Sequence, residues 1–333
     1  MAANIKDIAK MVGVSRQAAA SVLNSSPVCH VSREKRDKIL CLARELHYQP
    51  NEAAKILKGK PGRLIGVIMD SYANTPVVEI FARLEEYLAQ EGYRLQVGLT
   101  HENKERFLAH LEDFQRFKAA GIVALAHTYA GPDFNLYEEL ARYPNTVLFG
   151  HPSSPVRAFP RVELDWAGVY SSLATRLAAS GARRIALQVT WPGYSAEIME
   201  GYRQGLRLAG LPFRKELLMD VRELKSLSAA EYARRLIALR TDALLTTDSY
   251  GVRLISEFTR LGVRIPDEIQ IIGRYNLAFG TYVYPGITTL DCCTDDVARR
   301  LGRKILSLIA SEPVAECDTV TPKLIQRESS KSL

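Results

Sequence analysis

From residue 63 onward, short runs rich in aliphatic and β-branched residues alternate with longer stretches of helical period, and this alternation constrains the fold more than any other feature. The short runs are Leu64 to Met69, Tyr93 to Leu99, Gly121 to Ala126, Thr146 to Phe149, Arg184 to Val189, Ala243 to Thr246 and Ile269 to Ile272. Between them, helical spacing covers Val78 to Gln90, Arg106 to Ala119, Val169 to Ser180, Glu197 to Ala209, Ala229 to Leu239 and Val252 to Leu261. Repeated strand–helix–strand units predict a parallel sheet covered on both faces. The strands are too many for one compact sheet of this type, and the proline-rich stretch Pro152 to Pro160 divides them, so two similar α/β lobes are expected. Such folds bind ligands outside the carboxyl ends of their strands, and two facing lobes make a cleft. Asp165 and Asp248 each follow an apolar run, where a carboxylate can accept hydrogen bonds from a hydroxylated ligand; a solvated loop aspartate has the same signature.

The first sixty residues follow a different rule. Ile5, Ile8, Ala9, Met11 and Val12 fall at helical spacing until Gly13 breaks it. Ser15 is placed to cap a second helix, Arg16 to Leu23, and Ser32 a third with Ile39, Leu42, Ala43 and Leu46 on one face. The chain carries a formal +7, and residues 1–60 hold eleven lysines and arginines against five acids, so +6 of that charge sits in this segment. A polyanion is its natural partner, although a solubilising basic face carries the same charge. A helix-turn-helix puts the start of its second helix in the major groove, and the first side chains there, Arg16 and Gln17, suit guanine and adenine edges respectively. An ordinary surface helix with a polar start has the same appearance.

Next, Pro50 and the run Gly59-Lys60-Pro61-Gly62 bracket one or two turns of helix, too short to be stable alone and expected to be ordered by a partner. Leu57 between Lys55 and Lys58 has the pattern of an apolar wedge between base steps with ammonium groups on the phosphates, or of a leucine packing on the following domain.

Signals for chemistry are scarce. No GxGxxG, GxxxxGK[ST] or GxSxG is present, and the histidines His30, His47, His101, His110, His127 and His151 lack metal-ligand spacing. No cofactor, no metal and no enzymatic activity are expected. Five cysteines, Cys29, Cys41, Cys292, Cys293 and Cys317, are odd in number without CxxC spacing, which suits a reducing compartment; the vicinal Cys292-Cys293 pair is either redox active or simply two small strand-end residues. Asn4, Lys6, Asp7 and Lys10 interrupt any apolar leader and no run of about 18 apolar residues occurs, so a cytoplasmic location without a membrane span is expected.

Asn4-Ile5-Lys6-Asp7-Ile8-Ala9, Val12-Gly13-Val14-Ser15, Val22-Leu23-Asn24, Val31-Ser32 and Tyr48-Gln49-Pro50-Asn51 with Leu57 resemble, in order and spacing, the headpiece and hinge of the LacI/GalR family of bacterial transcription regulators. Leu64-Ile65-Gly66-Val67-Ile68, Val162-Glu163-Leu164-Asp165, Thr246-Thr247-Asp248, Ile265-Pro266-Asp267, Ile271-Ile272-Gly273 and Leu324-Ile325-Gln326-Arg327-Glu328-Ser329 extend the resemblance along the chain. It implies a small all-α helix-turn-helix headpiece at 1–48, a hinge helix and linker at 49–62, and at 63–333 an α/β core of two Rossmann-like lobes, like a type I periplasmic binding protein, that binds an effector and dimerises. It implies a homodimeric regulator, by family habit a repressor, bound to a pseudo-palindromic operator in double-stranded DNA and controlled by a small-molecule effector such as a sugar or sugar derivative; the competing expectation is a two-lobed solute receptor without DNA function. By match, Ser15, Arg16, Gln17, Ser21, Asn24 and Ser32 contact DNA from the headpiece, and Ala54, Lys55, Leu57 and Lys58 from the hinge. Tyr72, Asn74, Asp165, Trp166, Ile198, Asp248 and Tyr275 are the expected effector residues. Departures from the family pattern matter here. Ser21 stands where many members have arginine, Ile198 replaces an arginine of the cleft, Tyr275 an aspartate, and Trp166 an asparagine. They remove a cation and a carboxylate from the expected pocket and add aromatic surface, which puts a simple sugar in question. No leucine heptad follows Arg327, so the family's tetramer-forming tail is not expected.

Overall fold

The computed structural model describes residues 4–23, 31–48, 62–70, 75–126, 136–143, 145–150, 159–189 and 196–333. The chain divides into two compact units between Gly62 and Arg63.

In the first unit, α1 (Ile5–Val12), α2 (Arg16–Leu23) and α3 (Arg33–Glu45) share a core of Ile8, Ala9, Val12, Ala19, Val22, Ile39 and Ala43. A capping box starts α1: Asn4 Oδ1 accepts from the Lys6 and Asp7 amides at 2.8 and 3.2 Å, while the Asp7 carboxylate accepts from the Asn4 amide at 3.0 Å. Gly13, in the left-handed region at φ 68°, ends it. Met11, expected on the buried stripe, is 59% exposed. At about 100° per residue it lies well outside the arc that Ile5, Ile8, Ala9 and Val12 span.

The second unit contains, in chain order, β1 (Leu64–Met69), α4 (Thr75–Gln90), β2 (Arg94–Leu99), α5 (Lys104–Arg116), β3 (Gly121–Leu125), α6 (Leu136–Leu140), β4 (Thr146–Phe149), β5 (Arg161–Leu164), α7 (Trp166–Ala179), β6 (Ile185–Val189) and α8 (Ala196–Leu208). It continues through β7 (Leu218–Asp220), α9 (Val221–Leu224), α10 (Ala229–Ala238), β8 (Ala243–Leu245), α11 (Asp248–Arg260), β9 (Gln270–Arg274), β10 (Thr288–Asp291), α12 (Thr294–Ile309), β11 (Cys317–Val320) and β12 (Lys323–Ile325). They build two six-stranded sheets, ordered β11-β5-β4-β3-β1-β2 and β12-β10-β9-β8-β6-β7. All pairings are parallel except β12, which runs antiparallel to β10. The inner strands β1, β3, β4, β8 and β9 are buried almost throughout because helices cover both faces, while the edge strands β2, β11 and β12 are more exposed. In β1, Ile65, Val67 and Met69 join the core beneath α4, and Ile68 meets Phe107, Leu111 and Phe114 of α5 on the other face.

The expected divide at Pro152 to Pro160 is corrected by the topology. β5 follows those prolines yet pairs with β4, Leu148 opposite Arg161, and β11, near the end of the chain, pairs with β5 in the same sheet. The chain therefore passes from sheet to sheet at three places: at Asp165, at Cys292-Cys293, and at Thr321-Pro322. Each lobe is assembled from distant parts of the sequence, and α12 belongs with the first lobe, packing on α4 and on β3, β4, β5 and β11. In the second lobe α7 and α8 lie against each other so closely that a Cβ at Gly201 would run into the Ala167 carbonyl oxygen.

Candidate nucleic-acid interface and effector cleft

In the first unit, Ser15 Oγ accepts from the Ala18 amide at 3.1 Å and so caps α2. Arg16 and Gln17, in the first turn of α2, are exposed, while Ala19 and Val22 are buried, with Gln17 on the side of the helix opposite them. Ser21, near the end of the helix, is half-buried. Ser32 caps α3, accepting from the Lys35 amide at 3.4 Å, and is itself exposed. Arg33, Lys35 and Arg36 in the first turn of α3 are exposed as well, a second source of positive charge that the helix-two pattern did not single out. Asn24, Ala54, Lys55, Leu57 and Lys58 lie outside the described residues, as do Tyr72 and Asn74 of the expected effector set.

The two sheets put their carboxyl ends beside the three crossings, and the remaining expected effector residues gather there in part. Asp165, at the first crossing, is half-buried and accepts from the Gly168 amide at 2.7 Å, capping α7. Trp166 opens that helix, its ring set edge-on to Tyr170 at 6.2 Å. Tyr275 follows β9 with φ 107° and donates its amide to the Leu290 carbonyl at 2.8 Å.

Two members of the set do not face a ligand. Ile198 is 1% exposed in the core, because the side of α8 that carries it packs inward. Asp248 is fully buried: one carboxylate oxygen accepts from Thr289 Oγ1 and the other from the Leu277 amide, each at 2.6 Å. A Cβ at Gly273 would collide with that carboxylate, so strand and acid fit only because the residue is glycine. Burial pushes the Asp248 carboxyl above its ordinary range, and the hydrogen bonds from Thr289 and Leu277 pull it part of the way back. The acceptor expected for a hydroxylated ligand is thus a strut joining the start of α11 to β10 and to the loop after β9.

Two residues that sequence reasoning passed over stand closer to the cleft. Thr247, half-buried at the carboxyl end of β8, leads into α11 without spending its hydroxyl on a cap. Arg274, the last residue of β9, is 2% exposed. Its guanidinium lies over the Trp166 ring at 5.7 Å and the Tyr275 ring at 4.9 Å, and it donates to the Tyr170 hydroxyl at 3.3 Å. Burial raises the Tyr170 pKa while Arg274 opposes the shift. Arg274 ends an apolar strand, and a cation in that place was the only available signal.

The second crossing is tied to the cleft wall through hydrogen bonds. Arg327 donates to the Asn276 side-chain oxygen and Asn276 in turn to Asp291, both at 2.7 Å, and Asp291 accepts from the Cys293 amide at 2.6 Å. Cys292 is buried with its thiol pushed up to about 12, so it stays protonated and inert; Cys293 is half-buried. Among the described residues there is no group of histidine, cysteine and acidic side chains able to hold a metal ion, and no helix is long and apolar enough to cross a membrane.

Comparison with known proteins places both units. Residues 4–51 match the model of bacterial regulatory proteins of the lacI family, and residues 174–330 match the periplasmic binding protein-like domain. The ribose operon repressor of Bacillus subtilis is 27% identical over 94% of this chain and 94% of its own length. The HTH-type transcriptional repressor PurR of Photobacterium profundum is 26% identical over 99% of each chain. Among solved structures, the lac repressor dimer bound to operator and the anti-inducer ONPF superposes with a TM-score of 0.84 at 18% identity over the whole of both chains. The transcriptional regulator CelR in complex with cellobiose gives 0.69 at 20% identity, covering 98% of this chain and all of that one.

Proposed function

We propose a working cycle for this chain on the premise that it belongs to the LacI/GalR family of bacterial transcription regulators. The protein is a sequence-specific DNA-binding regulator whose two-lobed core responds to a small molecule. Its sign of action is repression, the action for which its curated relatives are named. The single observation that carries the DNA half is the exposed pair Arg16 and Gln17 in the first turn of α2, presented by a helix, a left-handed glycine and a second helix. Guanine O6 and N7 and adenine N6 and N7 are the edges such side chains read. Ser15, Ser21 and Ser32, with Asn24, flank that reading head, and exposed Arg33, Lys35 and Arg36 supply phosphate contacts. Ala54, Lys55, Leu57 and Lys58 form the hinge, with Leu57 entering the minor groove.

A second copy completes the DNA-binding unit, as in the operator-bound lac repressor dimer, so that two heads meet the two halves of a pseudo-palindrome. The effector sits at the carboxyl ends of the sheets, against Trp166, Tyr275 and Thr247, beside the crossings at Asp165, Cys292-Cys293 and Thr321-Pro322. Three connections are hinges about which two lobes can close, and a ligand that prefers one closure shifts the DNA affinity by a typical coupling of about 1–3 kcal/mol. The chain acts by binding, without catalysis, in the cytoplasm where its DNA is.

Titrating the full-length protein with a palindromic operator in rising salt tests this reading. Log affinity falls linearly with log salt if the basic head neutralises phosphates; a flat response would overturn the DNA-binding assignment.

A further inference from the structure

We propose that the second crossing is the regulated hinge of the core: Asp291 holds Cys293 there in a left-handed backbone conformation, Cys293 leaves it when the lobes rearrange, and Asp291 is therefore the positioning residue that sets which lobe arrangement the chain prefers. The inference rests on the reading of the core as a receptor whose two lobe arrangements are coupled to DNA.

The three crossings are not alike. At the first, Asp165 has an ordinary φ of −73° and caps α7. At the third, the ring of Pro322 fixes one of its two backbone angles. At the second, Cys293 leads into α12 with φ 53° and ψ 49°, a region that glycine visits freely and a side chain such as cysteine enters at a cost. Of the crossing residues Asp165, Cys292, Cys293, Thr321 and Pro322, only Cys293 has a positive φ.

Asp291, the last residue of β10, offsets that cost. One of its carboxylate oxygens accepts from the Cys293 amide at 2.6 Å and the other from the Asn276 side-chain amide at 2.7 Å, and Arg327 fixes Asn276 in turn. Asn276 has φ 50° and directly follows Tyr275. The clamp therefore runs from the loop after β9, in the second lobe, to the residue that begins a helix of the first. The Cys293 thiol adds weak contacts to the Asp291 and Thr321 carbonyl oxygens at 3.8 and 3.9 Å, and the second of these joins this crossing to the third. Strain at Cys293 opposes the observed arrangement while the bonds to Asp291 favour it, so the two partly cancel and a ligand need supply only the difference to move the lobes. Opposite signs follow. Asp291→Ala tips the core away from this arrangement, and Cys293→Gly, which lifts the left-handed penalty, tips it back. A carboxylate that only stabilised the fold would show no such opposition.

Asp291→Ala and the double variant Asp291→Ala with Cys293→Gly, each in the full chain, test this against a palindromic operator that the parent selects from a random library. Operator affinity is read by titration. Hydrogen exchange at the Asp165 amide, which donates to the Val320 carbonyl between the first and third crossings, reads the lobe connection away from the substitutions. A cooperative melt shows that each variant is folded. Asp291→Ala changes operator affinity at least about fivefold and alters exchange at Asp165, and adding Cys293→Gly returns both toward the parent, operator affinity to within about twofold. Unchanged exchange at Asp165 in folded Asp291→Ala overturns the inference, and so does a double variant no closer to the parent than Asp291→Ala alone. Exchange that shifts and reverts while operator affinity stays constant supports the hinge and overturns the coupling of the lobes to DNA. A parent that binds no operator overturns the regulator reading, and the exchange pattern still decides the hinge.

Discussion

The two units earn their functions from opposite sides of their surfaces. In residues 4–48 the buried set, among the described residues, is a handful of small and medium apolar side chains, while the proposed contact residues Ser15, Arg16, Gln17 and Ser32 are exposed. In residues 63–333 the groups that shape the site are drawn in: Asp248 fully buried, Arg274 caged by aromatic rings, Trp166 at the head of a helix whose sides are largely covered. The contrast has a physical origin. A reading head meets a rigid polyanion from outside and needs long, free donors. A ligand cleft must surround its guest, so its polar groups are desolvated and held by neighbours before the ligand arrives.

Gly201→Val breaks the comparison hardest. Its side chain would push α8 off the Ala167 carbonyl, and we expect the core to lose about 3 kcal/mol or more, read as a fall in its melting temperature while residues 4–48 keep their helical signal. Ile39→Ala reverses the experiment, removing about 2–5 kcal/mol from the small core of α1, α2 and α3. DNA binding should vanish with that unit while ligand-induced stabilisation of the core remains. Leu57→Ala should weaken operator binding severalfold and leave effector affinity nearly intact, since a wedge acts only on bent DNA; equal operator affinity in mutant and parent removes Leu57 from the interface. Gln17→Ala should relax preference at a single base-pair position by about 1–3 kcal/mol, measured with an operator library. An unchanged preference profile takes Gln17 off the base-contact list.

The smallest effect is on acid stability. Arg300 and Arg299 hold the Asp296 carboxyl in the first turn of α12 below its usual range. Because its folded value lies below the unfolded one, its contribution is present above about pH 4 and is lost as the pH falls through the lowered value. Asp296→Asn should therefore flatten the acid limb of core stability by under about 1 kcal/mol and leave the first unit unchanged; a melting curve with the same acid limb as the parent counts against the pair.

Legibility differed along the same line. The helices of the first unit follow from a capping serine, a breaking glycine and a 3.6-residue period, all local, and α2 begins at Arg16 directly after Ser15. The long strands of the core were equally plain, since β1 and β3 are unbroken apolar runs. Of the short strands, β4 and β8 were legible as apolar runs, but five others were not. β7 and β12 have three residues each and β5, β10 and β11 four, and a charged or polar residue in each breaks the apolar run that marks the equally short β4 and β8; some of their pairings also join segments far apart in sequence, as Cys317 does with Arg161. The helix α12 went unassigned although Val297, Ala298, Leu301 and Ile305 repeat at helical spacing, because arginines and a lysine crowd the positions between them. In the cleft, Asp248 looked like a ligand acceptor because it follows a strand; only the arrival of Thr289 and Leu277 from other elements shows its oxygens to be occupied.

Helix capping, apolar period and local charge are properties of neighbouring residues, and they were enough to determine a basic three-helix head followed by repeated α/β units. That β11 joins the sheet of β5, where the chain crosses between lobes, and which polar side chain ends up caged beside Trp166 depend on contacts between residues far apart in sequence, as Cys317 pairs with Arg161 and Arg274 meets Tyr170. Those contacts form only when the whole core closes, so tertiary structure alone decided them.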